Sequence, residues 1–241
     1  MIDSWIKCGD CIDLMKLLPT ASIDLVVCDL PYLNVVNEAW DAQWLTIPEY
    51  CEWCDAIFQE YRRVVKKGGN LFVFTSRQHN HRIATLLDKH FVEQRIIIWA
   101  RKRCFNATRG KALSSGYEPI AFYRNGREGT FNTIKIKPTT VRKEYVSGSL
   151  RDGVCLSDVW TDIPALPHNC SEKCEHPTQK PVKLIQRILE IGSNPGDVVL
   201  DNCCGSGTTG VACLNTGRKY ILFDSEQKYV DIAIERCAGI L

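Results

Sequence analysis

Residues 198–210 read Val-Val-Leu-Asp-Asn-Cys-Cys-Gly-Ser-Gly-Thr-Thr-Gly: a short apolar run, an acid, a tight glycine turn and a helix start. Gly205, Gly207 and Gly210 match G-x-G-x-x-G, with Ser206, Thr208 and Thr209 between them. Glycine lets backbone approach a cofactor closely, and a helix N-terminus offers free N–H groups to it. The unit therefore calls for an open α/β sheet whose ligand lies beyond the carboxyl ends of its strands. Alone, the pattern fits a dinucleotide or an adenosine cofactor. Asp201, ending the apolar run, puts a carboxylate where a cationic group is welcome and a pyrophosphate is not. Asp224, at the end of the next run Tyr220–Asp224, is placed to accept from ribose hydroxyls. The sequence stops at Leu241, so the other strands are expected upstream of the loop, in a permuted order. A cationic adenosine cofactor, S-adenosyl-L-methionine, fits best.

The upstream sequence supplies those strands. Ile23–Asp29 is an apolar run ending in an acid, as in a buried parallel strand. Thr46 and Glu49 stand in capping-box spacing. From Tyr50 to Val65 apolar residues recur at helical spacing, and Gly68-Gly69 is expected to stop that helix. Strands are expected at 70–75, Ile96–Ala100 and Pro119–Arg124, and helices at 79–89, at Pro181–Ile191 with Gly192 as the stop, and around Tyr229–Arg236. Residues 125–174 show little periodicity and read as an insertion. The expected architecture is one domain, 1–241, on a mostly parallel seven-stranded Rossmann-like sheet with helices on both faces. Hydrophobic residues make up 45% of the chain, ample for a core. The longest apolar runs fall far short of a membrane span, and no export leader is visible. A cytoplasmic protein is expected, with its thirteen cysteines reduced.

Thirty basic side chains against twenty-eight acidic suggest neutrality, but the distribution does not. Residues 95–151 hold thirteen Lys/Arg and three acids, a segment of +10 in a chain of +2, which leaves −8 elsewhere. Arg101, Lys102, Arg103, Arg109, Lys111, Lys135, Lys137, Arg142 and Lys143 are the candidate phosphate contacts, with Phe105, Tyr117, Phe122, Tyr123, Phe131 and Tyr145 available to stack or pack.

Asp29-Leu30-Pro31-Tyr32 ends the first strong strand. In this position it resembles the Asp-Pro-Pro-Tyr motif of the β-class amino-methyltransferases of DNA, whose cofactor loop comes late. Further pieces occur in the same order: Gly9-Asp10-Cys11, Trp40-Asp41, Arg63-Val-Val-Lys-Lys-Gly-Gly69, His176-Pro-Thr-Gln-Lys-Pro181 and Gly205-Ser-Gly-Thr-Thr209. The likeness covers roughly 5–125 and 158–237. It implies that Asp29 and the Leu30 carbonyl hold an exocyclic amino group, that Pro31 stiffens the turn, and that Tyr32 stacks on a base rotated out of duplex DNA. It also places Asp10 and Cys11 near the adenine of the cofactor and Lys180 near its amino-acid end.

Asp at the head of the motif resembles the N6-adenine enzymes, whereas N4-cytosine members more often begin with Ser. Two departures stand out. Leu30 replaces a proline, and Asn202-Cys203-Cys204 lacks the aromatic that usually follows Asp-Pro in the cofactor loop. Those departures are the grounds for the competing reading, an idle DNA-binding module on the same fold. The loop 101–117 and the insertion 125–174 are expected to read DNA. Their small size implies a short target site, or one read with a second subunit, as a homodimer or with a partner. No metal site is expected. His168, Cys170, Cys174 and His176 crowd one stretch, and structural zinc usually draws on two.

Overall fold

A computed structural model describes residues 3–33, 35, 38–105, 113, 115–136, 154–167 and 169–239, without the side chains of 102–105 and 154. The elements run β1 (Trp5–Cys8), α1 (Cys11–Lys16), β2 (Ile23–Asp29), a 3-10 turn at Ala39–Asp41, α2 (Ile47–Val64), β3 (Val65–Phe74), α3 (Asn80–Leu87), β4 (Val92–Phe105) and β5 (Ser115–Arg124). After them come β6 (Lys135–Ile136), β7 (Val154–Cys155), β8 (Val159–Trp160), α4 (Val182–Gly192), β9 (Val198–Asp201), α5 (Thr208–Thr216), β10 (Lys219–Asp224) and α6 (Gln227–Cys237).

Eight strands form the main sheet, in the order β1-β10-β9-β2-β3-β5-β4-β8. All neighbours are parallel except β3–β5 and β5–β4. β2 lies in the middle and is apolar on both faces, as a doubly covered parallel strand must be. One core packs α1, α2 and α3 against the face bearing Val26, Leu71 and Tyr123. A second packs α4 and α5 against Leu25, Val27 and Phe72, and α6 extends that layer over Leu222. Each fully buried aliphatic side chain contributes about 1.5–3 kcal/mol to this arrangement.

Several expectations are corrected. The sheet has eight strands among the described residues, not seven, and the two that no expected strand marked are β1 and, from the supposed insertion, β8. β8 pairs with Ile98–Trp99, and the Trp160 ring is buried beneath the Arg187 guanidinium, 5.3 Å away. Arg187 in turn makes a two-pronged pair with Asp162 at 2.8 and 2.5 Å. Short strands carry too few residues to show a period, so tertiary packing supplies what the sequence pattern lacks. Gly68-Gly69 does not stop a helix. α2 ends at Val64, and β3 starts at once with the β-branched Val65. Both glycines lie inside β3, where a Cβ on Gly69 would stand 2.9 Å from the Asp24 carbonyl oxygen. β4 and β5 run past their expected ends into the 101–117 loop.

Thr46 caps α2 as its spacing predicts: Oγ1 accepts from Glu49 N–H while Glu49 Oε2 accepts from Thr46 and Leu45 N–H. Such a cap stabilises a helix by about 0.5–2 kcal/mol. No helix among the described residues is long and apolar enough to cross a membrane.

Candidate active site

Neighbouring strands β2 and β9 send the chain to helices on opposite faces, α2 and α5, so a crevice opens at their carboxyl ends. The crevice is a cleft of about 830 Å³ lined by Gly9, Asp10, Cys11, Asp29–Tyr32, Trp40, His176, Asn202, Cys203, Gly205, Asp224 and Tyr229. A smaller cavity adjoins it through Asp29, His176, Thr178, Cys203 and Gly205, and reaches Lys180, Asp201, Ser206, Thr208 and Thr209. The two sequence motifs thus face each other across one opening.

Asp29 ends β2 with both carboxylate oxygens engaged. Tyr32 OH donates to Oδ1 at 2.8 Å and Lys180 Nζ to Oδ2 at 2.5 Å. Burial pushes the carboxyl pKa up, opposed by Lys180 and reinforced by Glu118. Lys180 keeps its proton: burial works against the ammonium, but Asp29 and Glu118 outweigh it.

The loop that follows is clamped. Tyr50 OH donates to the Pro31 carbonyl at 2.8 Å. The fully buried Asp41 accepts from Tyr32 N–H and Val35 N–H, at 2.6 Å each. Between those two donors Leu33 sits at φ +59°, a left-handed conformation that costs a non-glycine residue about 1–2 kcal/mol. Leu30 is buried in the core, so its departure from proline is absorbed by packing.

The glycine loop forms the opposite wall. Gly205 (φ +49°) could not be another residue without collision: a Cβ there would fall 2.7 Å from His176 Nε2. On Gly207 (φ +75°) it would fall 2.6 Å from the Ala233 Cβ. Asp224 accepts from Gly205 N–H at 2.8 Å and from Glu226 N–H at 3.0 Å. Asp201 is turned into the loop, where Oδ2 accepts from Thr209 Oγ1 at 2.5 Å and Oδ1 from Cys203 N–H. Burial raises its pKa to about 7. Arg236 anchors the loop from α6 by donating to the Ser206 carbonyl and the Thr208 hydroxyl. Asn202 accepts a short bond from Tyr61 OH. Asp10 caps α1 by accepting from Ile12 and Asp13 N–H, with Cys11 next to it in the cleft wall. The described cysteines are all free thiols.

Polar capacity in the cleft remains open. Trp40 Nε1 and His176 Nδ1 are buried without a partner. Burial, together with Lys180, Lys173, Lys228 and Arg236, drops the His176 pKa to about 3, so its imidazole is neutral. Its ring stacks near Trp40 and meets Tyr229 edge-on with centroids 4.5 Å apart. Unpaired indole and imidazole nitrogens beside a glycine cradle and the acidic Asp224 suit an adenosine-type ligand.

Two residues escaped correct assignment from sequence. Glu118, on β5, brings Oε2 to 3.2 Å from Tyr32 OH and 3.4 Å from Lys180 Nζ. Arg101, expected on a phosphate, instead donates to Glu118 Oε1 at 2.8 Å and to Ser115. A lone acid within an otherwise apolar strand was the available signal. Of the other basic candidates, Lys135 is exposed on the β6–β7 ribbon. Lys102 and Arg103 are placed by backbone only, and Arg109, Lys111, Lys137, Arg142 and Lys143 lie outside the described residues, as does His168. Phe122 and Tyr123 are buried in the two cores, where Phe122 stacks on Phe72 with centroids 4.3 Å apart.

An acid-headed loop and a glycine loop thus face each other over the switch point of a largely parallel sheet. The chain belongs to the DNA methylase family, whose model matches residues 23–235. It is 29% identical to the DNA adenine methyltransferase YhdJ of Escherichia coli K12, over 95% of this chain and 80% of that one. The solved M1.HpyAVI–SAM complex matches with a TM-score of 0.65 at 25% identity, over 96% of this chain and 98% of the other. The cytosine-N4-specific PvuII DNA methyltransferase shares the fold, with a TM-score of 0.76 at 17% identity over 100% and 92% of the two chains.

Proposed function

We propose that this protein is an S-adenosyl-L-methionine-dependent DNA methyltransferase that modifies the exocyclic N6 of an adenine rotated out of the duplex. The observation that carries the reading is that Asp29 and Gly205 of the glycine loop line the same cleft. Membership of the DNA methylase family and the likeness to an adenine methyltransferase support it. Within this reading Asp224, Asp10, Cys11 and the glycine loop hold the nucleoside, with Trp40 and His176 offering their unpaired nitrogens. When bound, the cofactor supplies an electrophilic sulfonium methyl, and its sulfur keeps the electron pair of the broken S–C bond.

An amino group on a purine ring is a poor nucleophile because its lone pair is delocalised. Asp29 and the Leu30 carbonyl each accept one of its N–H bonds, which favours a pyramidal nitrogen with its lone pair directed at the methyl. Tyr32 presents its ring to the rotated base. The proton released after transfer has a ready acceptor in Asp29, whose affinity for it is raised by burial. None of the thiols is required as a nucleophile.

The chain acts as one methyltransferase domain, and 101–117 with 125–174 contributes the surface that meets double-stranded DNA. Base recognition is expected from a few of its side chains, and phosphate register from its Lys and Arg residues. Arg101 is not one of these, since it serves Glu118.

The test is to incubate the protein with methyl-labelled cofactor and whole-genome-amplified, hence unmethylated, DNA, then identify the nucleoside by mass spectrometry. N6-methyladenine is expected, and Asp29→Ala removes it while cofactor binding persists. N4-methylcytosine would overturn the choice of base, and no labelled nucleoside would overturn the reading.

A further inference from the structure

Both acceptor oxygens of Asp29 are occupied, by Tyr32 OH and by Lys180 Nζ. On the methyltransferase reading, which this inference rests on, an incoming amino group competes with those two donors for Asp29. The donor it displaces is buried, and a buried ammonium or phenol cannot be left without an acceptor. Both donors already face the same second acceptor: Glu118 Oε2 stands 3.2 Å from Tyr32 OH and 3.4 Å from Lys180 Nζ. Its other oxygen is pinned by Arg101, which is itself held by the Ser115 carbonyl and hydroxyl. The alternative acceptor is therefore charged, close and fixed before substrate arrives.

We propose that Glu118 is a positioning residue that receives whichever of Lys180 Nζ and the Tyr32 hydroxyl the substrate amino group displaces from Asp29, so freeing the catalytic carboxylate. Glu118 touches no reacting atom and acts through Lys180 and Tyr32. No bond is made or broken in this exchange beyond hydrogen bonds, and the ammonium proton stays on Lys180.

Charge separates this role from a structural one. The groups facing Asp29 are Lys180, Glu118 and Tyr32, with Asp201 on the neighbouring strand and Arg101 behind Glu118. Removing the Glu118 charge takes away an influence that raises the pKa of Asp29, so the acidic limb of kcat/KM moves to lower pH. It also removes one of the two carboxylates that hold the Lys180 proton, so Lys180 titrates lower.

Glu118→Gln, nearly the same shape without the charge, is the variant to make, with Glu118→Asp beside it. On whole-genome-amplified DNA, kcat of the Gln variant falls roughly 10- to 100-fold, the loss of one charged acceptor, while KM for cofactor stays within about twofold. The Asp variant keeps the wild-type acidic limb even if its kcat is reduced. The Lys180 ammonium, followed by 15Nζ NMR in the cofactor-free protein, titrates lower in the Gln variant. An active wild type whose Gln variant has an unmoved acidic limb, or an unmoved Lys180 titration, overturns the proposal alone. A folded wild type that transfers no methyl group overturns the reading of the site, and the proposal with it.

Discussion

Asp41 offers the sharpest test of how the loop after Asp29 is held. Its carboxylate is fully buried and accepts from Tyr32 N–H and Val35 N–H at 2.6 Å each. Hydrogen bonds to a charged acceptor contribute about 1.5–3 kcal/mol apiece, so the pair is worth roughly 3–6 kcal/mol. Leu33, at φ +59° between the two donors, costs about 1–2 kcal/mol, so the clamp outweighs the strain with a margin. Asp41→Asn keeps one acceptor oxygen and turns the other into a donor that opposes a backbone N–H. The expected loss is one charged bond plus the burial of an unpaired N–H, about 2.5–6 kcal/mol of folding stability in urea titration. With the clamp halved, the margin over the Leu33 strain closes and the loop shifts. A misplacement of about 1 Å at a reacting centre costs on the order of 100-fold in rate. Single-turnover methyl transfer under saturating cofactor should therefore fall by about that factor, with cofactor affinity by calorimetry changed only about threefold or less. A folded Asn variant with wild-type stability and rate would refute the clamp.

Three further outcomes follow from the same geometry. Gly205→Ala forces a Cβ to within 2.7 Å of His176 Nε2 at a left-handed φ, so cofactor affinity measured by calorimetry should drop about 10-fold or more from strain of about 1–2 kcal/mol. Tyr32→Phe keeps the ring but removes the hydroxyl bound to Asp29 and Glu118. Steady-state kinetics should show kcat reduced about 3- to 10-fold with KM for DNA little changed. Asp201 has a folded pKa of about 7 against 3.8 for the free side chain. Between those values the native state holds a proton that the unfolded chain releases, so this group's contribution to stability falls as pH rises. In Asp201→Asn that contribution is absent, and the difference between the two proteins in urea titrations at pH 4 and pH 8 should approach about 4 kcal/mol. Parallel stability–pH curves for the two proteins would show that Asp201 does not titrate as described.

Wherever structure depends on partners a few residues apart, the amino-acid order is enough to reveal it. The Thr46–Glu49 box, the Val198–Gly210 strand, turn and helix, and the Asp29–Tyr32 turn all rest on bonds or torsions within one short segment. Spacing therefore marks the glycine loop, and the resemblance to the amino-methyltransferases of DNA marks the Asp29–Tyr32 turn opposite it. The 125–174 stretch misleads for a matching reason: two-residue strands such as β8 have no period to read, and Trp160 becomes core only once β4 and α4 are beside it.

The network on Asp29 depends on sheet register instead. Lys180 is 151 positions away from Asp29, and Glu118 is 86 from Tyr32. Glu118 enters the site because β5 turns antiparallel against β3, and Arg101 reaches it because β4 pairs with β5 at Trp99–Glu118. A count of charges assigned Arg101 to DNA, because composition records how many cations a segment has and not which way they face. Its direction is settled by the half-buried Glu118 carboxylate, for which a charge partner at 2.8 Å is worth more than an exposed one in water. The motifs locate the chemistry in the chain; only packing shows which charges are already committed to one another within it.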